Sequence, residues 1–141
     1  MAPRAVLRLL DANANRALEG LRVCEDIIRF HLESARGFRR TRALRHGVAR
    51  AVRQLPVPAA ALIRARESRR DVGRRAGTSR VASLERLLLI NFQRAKEALR
   101  ALEESSRLIA PRQTAAFQRL RFRAYEVERD TLLRVEALRH H

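Results

Sequence analysis

Two stretches of this 141-residue chain carry the same polar residues at the same spacing, and those residues have chemistry to offer. Residues 13–29 (NANRALEGLRVCEDIIR) and 91–107 (NFQRAKEALRALEESSR) align at a shift of 78. Eight positions are identical: Asn13/Asn91, Arg16/Arg94, Ala17/Ala95, Glu19/Glu97, Leu21/Leu99, Arg22/Arg100, Glu25/Glu103 and Arg29/Arg107. At a shift of 79, Phe38, Arg40 and Arg42 fall on Phe117, Arg119 and Arg121. Arginines grip phosphate oxygens with paired N–H donors. Carboxylates hold a divalent cation or accept from an amino group.

Other site chemistries are missing from the sequence. There is no GxxxxGK[ST] and no GxGxxG, so neither standard phosphate loop is present. One cysteine and four scattered histidines do not make a zinc site. His46 follows Arg45 and is a candidate ligand contact, although a hydrogen-bonded structural role explains it as well. The segment Arg66-Glu-Ser-Arg-Arg-Asp-Val-Gly-Arg-Arg is the best anion cradle on offer: Arg66 and Arg69 stand near Asp71, and Gly73 permits a tight turn. A solvated basic loop would read much the same.

Helices must position these groups. Leu7, Leu10, Ala14, Ala17, Leu21, Cys24 and Ile28 recur at steps of three and four, which predicts a helix over about 4–35 opened by Pro3 and stopped near Gly37. Phe38, Leu44, Val48, Val52 and Leu55 outline a second helix that ends before Pro56. Residues 58–66 allow a short helix, and 67–79 read as a loop. Thr78 or Ser79 is expected to cap a third long helix, with Leu84, Leu88, Phe92, Ala95, Leu99 and Leu102 inward and continuing to Ile109. Pro111 opens a fourth, with Leu120, Ala124, Val127, Thr131 and Leu138 inward. The expected fold is all-α: one antiparallel bundle of two pseudo-repeated hairpins, about 4–55 and 80–139, joined by a basic loop.

The 100° step per residue places Asn13 and Glu25 about 60° either side of the apolar seam, Arg16 and Arg22 about 120° off it, and Glu19 opposite. An i,i+3/i,i+4 ion ladder accounts for the charges taken singly, each pair contributing about 0.2–0.5 kcal/mol. The asparagines resist that account. Asn is a poor helix-interior residue, yet it borders the seam in both copies. The expectation is that matched residues of both hairpins face a common hollow.

Composition bounds the alternatives. Thirty Arg, 23 Ala and 20 Leu make up half the chain, while aromatics are 4% and Trp is absent, which disfavours a sheet. A lone Cys24 cannot form an intrachain disulfide, and no apolar run reaches membrane length, so a cytoplasmic protein with no membrane partner is expected. The net charge of +16 is concentrated in residues 36–80, with fourteen Arg and two acids. A nucleic-acid-binding bundle is one alternative, but no groove-reading module is recognisable and aromatics are too few for a stacking platform. A non-catalytic scaffold is another, and Leu132, Leu133 and Val135 are expected to form an exposed face suited to a homodimer.

The stretches RLLDANANRALEGLRVCEDIIRF from Arg8, Leu44-Arg-His46, Arg66…Asp71-Val-Gly73, Asn91-Phe-Gln-Arg…Glu97-Ala-Leu-Arg…Glu103-Glu104 and Leu120-Arg-Phe-Arg-Ala-Tyr125 resemble, in order, the hydroxymethylpyrimidine-phosphate kinase family of thiamin biosynthesis. That helical domain occurs alone or fused ahead of thiamine-phosphate synthase. Ile90 and Phe122 depart from the pattern, a small residue and a Tyr being usual there. The resemblance implies a kinase that takes ATP and Mg²⁺ and converts the pyrimidine monophosphate to the diphosphate. It also implies catalytic roles for Arg16, Arg22, Glu25, Arg94, Arg100 and Glu103. Asn13, Asn91, Glu19, Glu97 and His46 would bind substrate, and Arg66, Arg69, Asp71 and Gly73 would bind phosphate. Glu25, Glu103 and Asp71 would be the Mg²⁺ ligands.

Overall fold

A computed structural model describes residues 2–74, 77 and 79–139. Five α-helices follow one another: α1 (Arg4–Phe30), α2 (Ala35–Arg53), α3 (Ala59–Ala65), α4 (Leu84–Ser106) and α5 (Pro111–Arg139), with a 3₁₀ turn at Ser68–Arg70. Among the described residues there is no strand, so the all-α expectation holds. Helices α1 and α4 pack side by side, α1 against α2, α4 against α5, and α2 against α5, which closes a four-helix bundle; α3 lies on α1.

The apolar stripes account for this arrangement. Leu10, Ala17, Leu21, Cys24 and Ile28 of α1 are fully buried, as are Leu88, Phe92, Ala95, Leu99 and Leu102 of α4 (Leu88 and Leu99 included). Phe92 and Phe117 are the largest fully buried side chains, and each such burial stabilises the fold by about 1.5–3 kcal/mol. Small residues set the approach of α1 to α4. A Cβ on Gly20 would stand 3.1 Å from the Asn91 carbonyl oxygen, and the Cys24 thiol reaches the Leu88 carbonyl at 3.7 Å.

Helix ends depart from the sequence reading in four places. First, α1 ends at Phe30 rather than near 35, and Gly37 does not stop it. The left-handed residue is Glu33 (φ 51°), and the Ser34 N–H reaches back to the Ile28 carbonyl. Ser34 then caps α2 by accepting from the Gly37 N–H at 3.0 Å. Gly37 sits in that first turn because a Cβ there would lie 2.9 Å from Ile28 Cγ2. Second, α4 is capped by Ser83, which accepts from the Arg86 N–H, and not by Ser79; Thr78 lies outside the described residues. Third, the inward face of α4 begins at Leu88: Leu84, its first residue, is 45% exposed. Fourth, α5 turns Leu138 outward (47% exposed) and Val135 inward, so Leu132, Leu133 and Val135 do not form one exposed face. Leu138 edges a shallow recess with His31, Leu32 and Glu85 instead of entering the core. Pro111 opens α5 as expected.

Candidate functional site

The widest recess, about 650 Å³, lies between the N-terminal half of α1 and the segment 66–71. One clasp builds it. Arg66 donates from Nε and Nη2 to the two oxygens of Asp11 at 2.8 and 2.7 Å, joining residues 55 apart in sequence. Asp11 is buried, and its carboxylate holds the Arg66 guanidinium proton more firmly than usual. Arg8 adds a bond from Nη2 to the Glu67 carbonyl (3.4 Å). Beyond the clasp, the Glu67 side chain accepts from the Arg69 N–H, and Asp71 Oδ1 accepts from the Gly73 N–H at 2.8 Å. These short bonds give a segment without regular helix a fixed course. Asn13, Arg16 and Glu19 of α1 line the recess opposite Arg66 and Asp71. Asn13 is 6% exposed, and its Nδ2 donates to the Leu9 carbonyl (2.9 Å). Arg16 and Glu19 are exposed, with no ion-pair partner among the described residues.

A second recess, about 480 Å³, lies on α4 and α5. Its α4 wall includes Arg86, Gln93, Arg94 and Glu97, the counterparts at a shift of 78 of Arg8, Asn15, Arg16 and Glu19. Gln93 donates to Glu97 at 2.9 Å. The far wall is α5, tied by the Lys96–Glu128 pair (2.8 Å). Asn91 repeats the Asn13 geometry, donating to the Leu87 carbonyl at 2.9 Å, but it is not part of the recess lining. The matched residues thus line two recesses, not the single hollow expected from the repeat. The cause is the antiparallel packing of α1 on α4, which sends the two N-terminal halves in opposite directions.

The remaining candidates have other partners. Glu25 and Glu103 are buried, and each spends both carboxylate oxygens on one guanidinium: Arg45 Nε and Nη2 at 2.6 and 3.2 Å, Arg121 Nε and Nη2 at 2.7 and 3.4 Å. They line neither recess, and each is held in a buried ion pair, where catalytic and Mg²⁺-binding groups were expected. Arg22 and Arg100 are well exposed and pair with Asp26 and Glu104 one turn on (3.5 and 3.3 Å), so the expected ladder through Glu25 does not form. His46 and Arg69 are exposed and line neither recess; Gly73 contributes only its N–H to Asp71. Among the described residues no three His, Cys, Asp or Glu side chains group to hold a metal. Burial and the charge of Glu128 push the Cys24 thiol far above its usual range, which leaves it without nucleophilic character.

Sequence reasoning missed Asp11, Arg8, Arg86, Lys96 and Glu128. Asp11 had a signal: a carboxylate one position from Leu10 in an apolar stripe must find a partner. Which arginine would supply it, out of thirty, was not readable.

Among the described residues no helix is long and apolar enough to cross a membrane. The model of the ThiD2 family matches residues 8–130. The thiamine-phosphate synthase of Synechocystis sp. is 38% identical over 130 residues, covering 90% of this chain and 36% of that protein. That of Nostoc punctiforme is 36% identical over 133 residues (89% and 35%). That of Rhodopirellula baltica is 35% identical over 138 residues (96% and 36%). The chain therefore spans about a third of the length of these curated relatives. No solved structure matches it.

Proposed function

The chain belongs to the ThiD2 family, and from that premise we propose that it serves thiamin biosynthesis as a kinase, passing a phosphoryl group from ATP to 4-amino-5-hydroxymethyl-2-methylpyrimidine phosphate. The α1 recess takes the pyrimidine monophosphate. The observation that supports this reading is the convergence there of Arg8, Arg16 and Arg66 with Asn13, Asp11 and Glu19. The guanidiniums receive the phosphate, Arg66 through the N–H groups that Asp11 leaves free, while the Asn13 amide and the Glu19 carboxylate suit the ring nitrogens and amino group of the pyrimidine.

The reaction asks little of the protein in proton chemistry. The acceptor phosphate is mostly dianionic near neutral pH, its second pKa being about 6. One of its oxygens attacks the γ-phosphorus of ATP, the bond from that phosphorus to the β-bridging oxygen breaks, and ADP leaves with the electron pair. No base is needed. Two anions that repel each other must instead be neutralised and aligned, which is work for arginines. Magnesium would come with the nucleotide, whose phosphates supply most of its ligands. The synthase activity named for the relatives is not part of this proposal.

ADP release tests it, with the pyrimidine monophosphate compared against its unphosphorylated alcohol. The monophosphate should be turned over, and Arg16→Ala should lower kcat/KM at least tenfold with helical content unchanged. No ADP release with either compound would overturn the reading.

A further inference from the structure

We propose that the α4 recess takes a nucleoside triphosphate, and that the two recesses are the two ends of one transfer path; this rests on the kinase reading above. Arg86 and Arg94 line the α4 recess without an ion-pair partner among the described residues. They stand eight residues apart, roughly 12 Å along the helix axis, a span that two long side chains close around an extended triphosphate.

What surrounds them differs from the α1 recess in the direction a nucleotide requires. The acid Asp11 is replaced at the equivalent position by Leu89, and Ala12 by Ile90. With Leu132 from α5 these give an apolar surface for a purine ring. Glu128 is already neutralised by Lys96. Lys96 in turn lies over the Tyr125 ring (5.0 Å to the centroid), and that ring is 41% exposed. The α1 recess is the opposite case: it sets Arg8, Arg16 and Arg66 against Asp11, Glu19, Glu67 and Asp71, whereas the α4 recess sets Arg86, Arg94 and Lys96 against Glu97 and Glu128, so the balance of charge favours a polyphosphate at α4.

Register connects the two sites. Gly20 meets Asn91 and Ala95, and Cys24 meets Leu88. The same antiparallel register sets Arg16 level with Glu97, and Glu19 level with Arg94. Each recess therefore runs out toward the middle of the α1–α4 pair, where a γ-phosphate from one side and an acceptor phosphate from the other would meet between Arg16 and Arg94.

The chain has one Tyr and no Trp, so its tyrosine emission reports on Tyr125 alone. Magnesium-ATP and inorganic tripolyphosphate are titrated into the full chain, followed by that emission and by calorimetry. ATP should change the emission and bind at least tenfold more tightly than tripolyphosphate. Arg86→Ala and Arg94→Ala should each weaken ATP binding at least tenfold. Arg66→Ala should leave ATP binding within twofold while weakening the pyrimidine monophosphate. The inference is overturned if the wild-type chain does not bind ATP, if both α4 variants bind it within twofold of wild type, or if Arg66→Ala abolishes its binding. Tripolyphosphate binding as tightly as ATP would overturn the ring contact. ADP release separates the two proposals: release that survives in both α4 variants overturns the nucleotide site and leaves the kinase standing. ATP binding as described, without release, does the reverse.

Discussion

The hairpins α1–α2 and α4–α5 start from the same polar residues and finish in different surroundings. In the first, the recess is closed by a segment that follows α3, fastened through Asp11 and Arg66. In the second, α5 itself forms the wall through Lys96 and Glu128. The duplicated arginines, Arg8 with Arg86 and Arg16 with Arg94, are therefore not what separates the two recesses, although Asn13 lines the first and Asn91 does not line the second. The difference lies in what faces them: a polar, acidic wall at one, and leucine, isoleucine and a neutralised ion pair at the other. Repetition placed an arginine and a glutamate of the same spacing in each recess, and their neighbours differ.

The buried ion pairs test how far the symmetry goes, and they carry the largest expected effect. Glu103→Gln leaves Arg121 charged and enclosed, its side chain 10% exposed, and should cost about 3–5 kcal/mol in a urea unfolding experiment. Glu25→Gln should cost about 1 kcal/mol less, because Arg45 (20% exposed) keeps some access to water. Equal losses would mean the two pairs are energetically alike.

Next comes the helix crossing. Gly20 and Ala98 are equivalent positions that differ by one methyl group. In Gly20→Ala the new methyl meets the Asn91 carbonyl, which is backbone and cannot step aside, at a cost of about 1–3 kcal/mol. Ala98→Gly should cost only about 0.5–1 kcal/mol, the ordinary penalty of helical glycine. A neutral Gly20→Ala would show that the crossing is looser than drawn.

The smallest effect lies where the first hairpin has a contact that the second lacks. His31 Nε2 bonds to Glu85 Oε1 at 3.1 Å, while the counterpart of His31 is Ile109. That bond holds the Glu85 carboxyl below its ordinary range. Its contribution is present above the ordinary carboxylate pKa and fades as pH falls through the lowered value. His31→Ala should move the Glu85 titration, followed by NMR, back upward. An unmoved midpoint would remove the contact from the account.

Much of the bundle was legible because helical periodicity is a local signal. Leu10, Leu21, Ile28, Phe92 and Leu99 announce their buried faces by spacing alone. Asn13, Arg16 and Glu19 were readable from the repeat, and Arg66 and Asp71 from the arginine-rich segment, but their grouping without Asn91, Arg94 and Glu97 was not. The pairings were not readable. Glu25 had Arg29 at i+4 and Arg22 at i−3 on its own helix and pairs with Arg45 of α2 instead, because only a three-dimensional arrangement brings that guanidinium over a buried carboxylate. The division into two recesses was hidden for the same reason: a repeat states that two segments are alike, not which way packing will turn them.

Lys96 is the only lysine and is mostly enclosed against Glu128, so every other cationic side chain on the surface, histidine apart, is a guanidinium. Guanidiniums keep their proton in any alkaline solution a protein tolerates, whereas ammonium groups begin to lose theirs near pH 10. The phosphate affinity proposed for the α1 recess, whose cations are Arg8, Arg16 and Arg66, should therefore hold well into alkali, while the α4 recess, which includes Lys96, should weaken sooner.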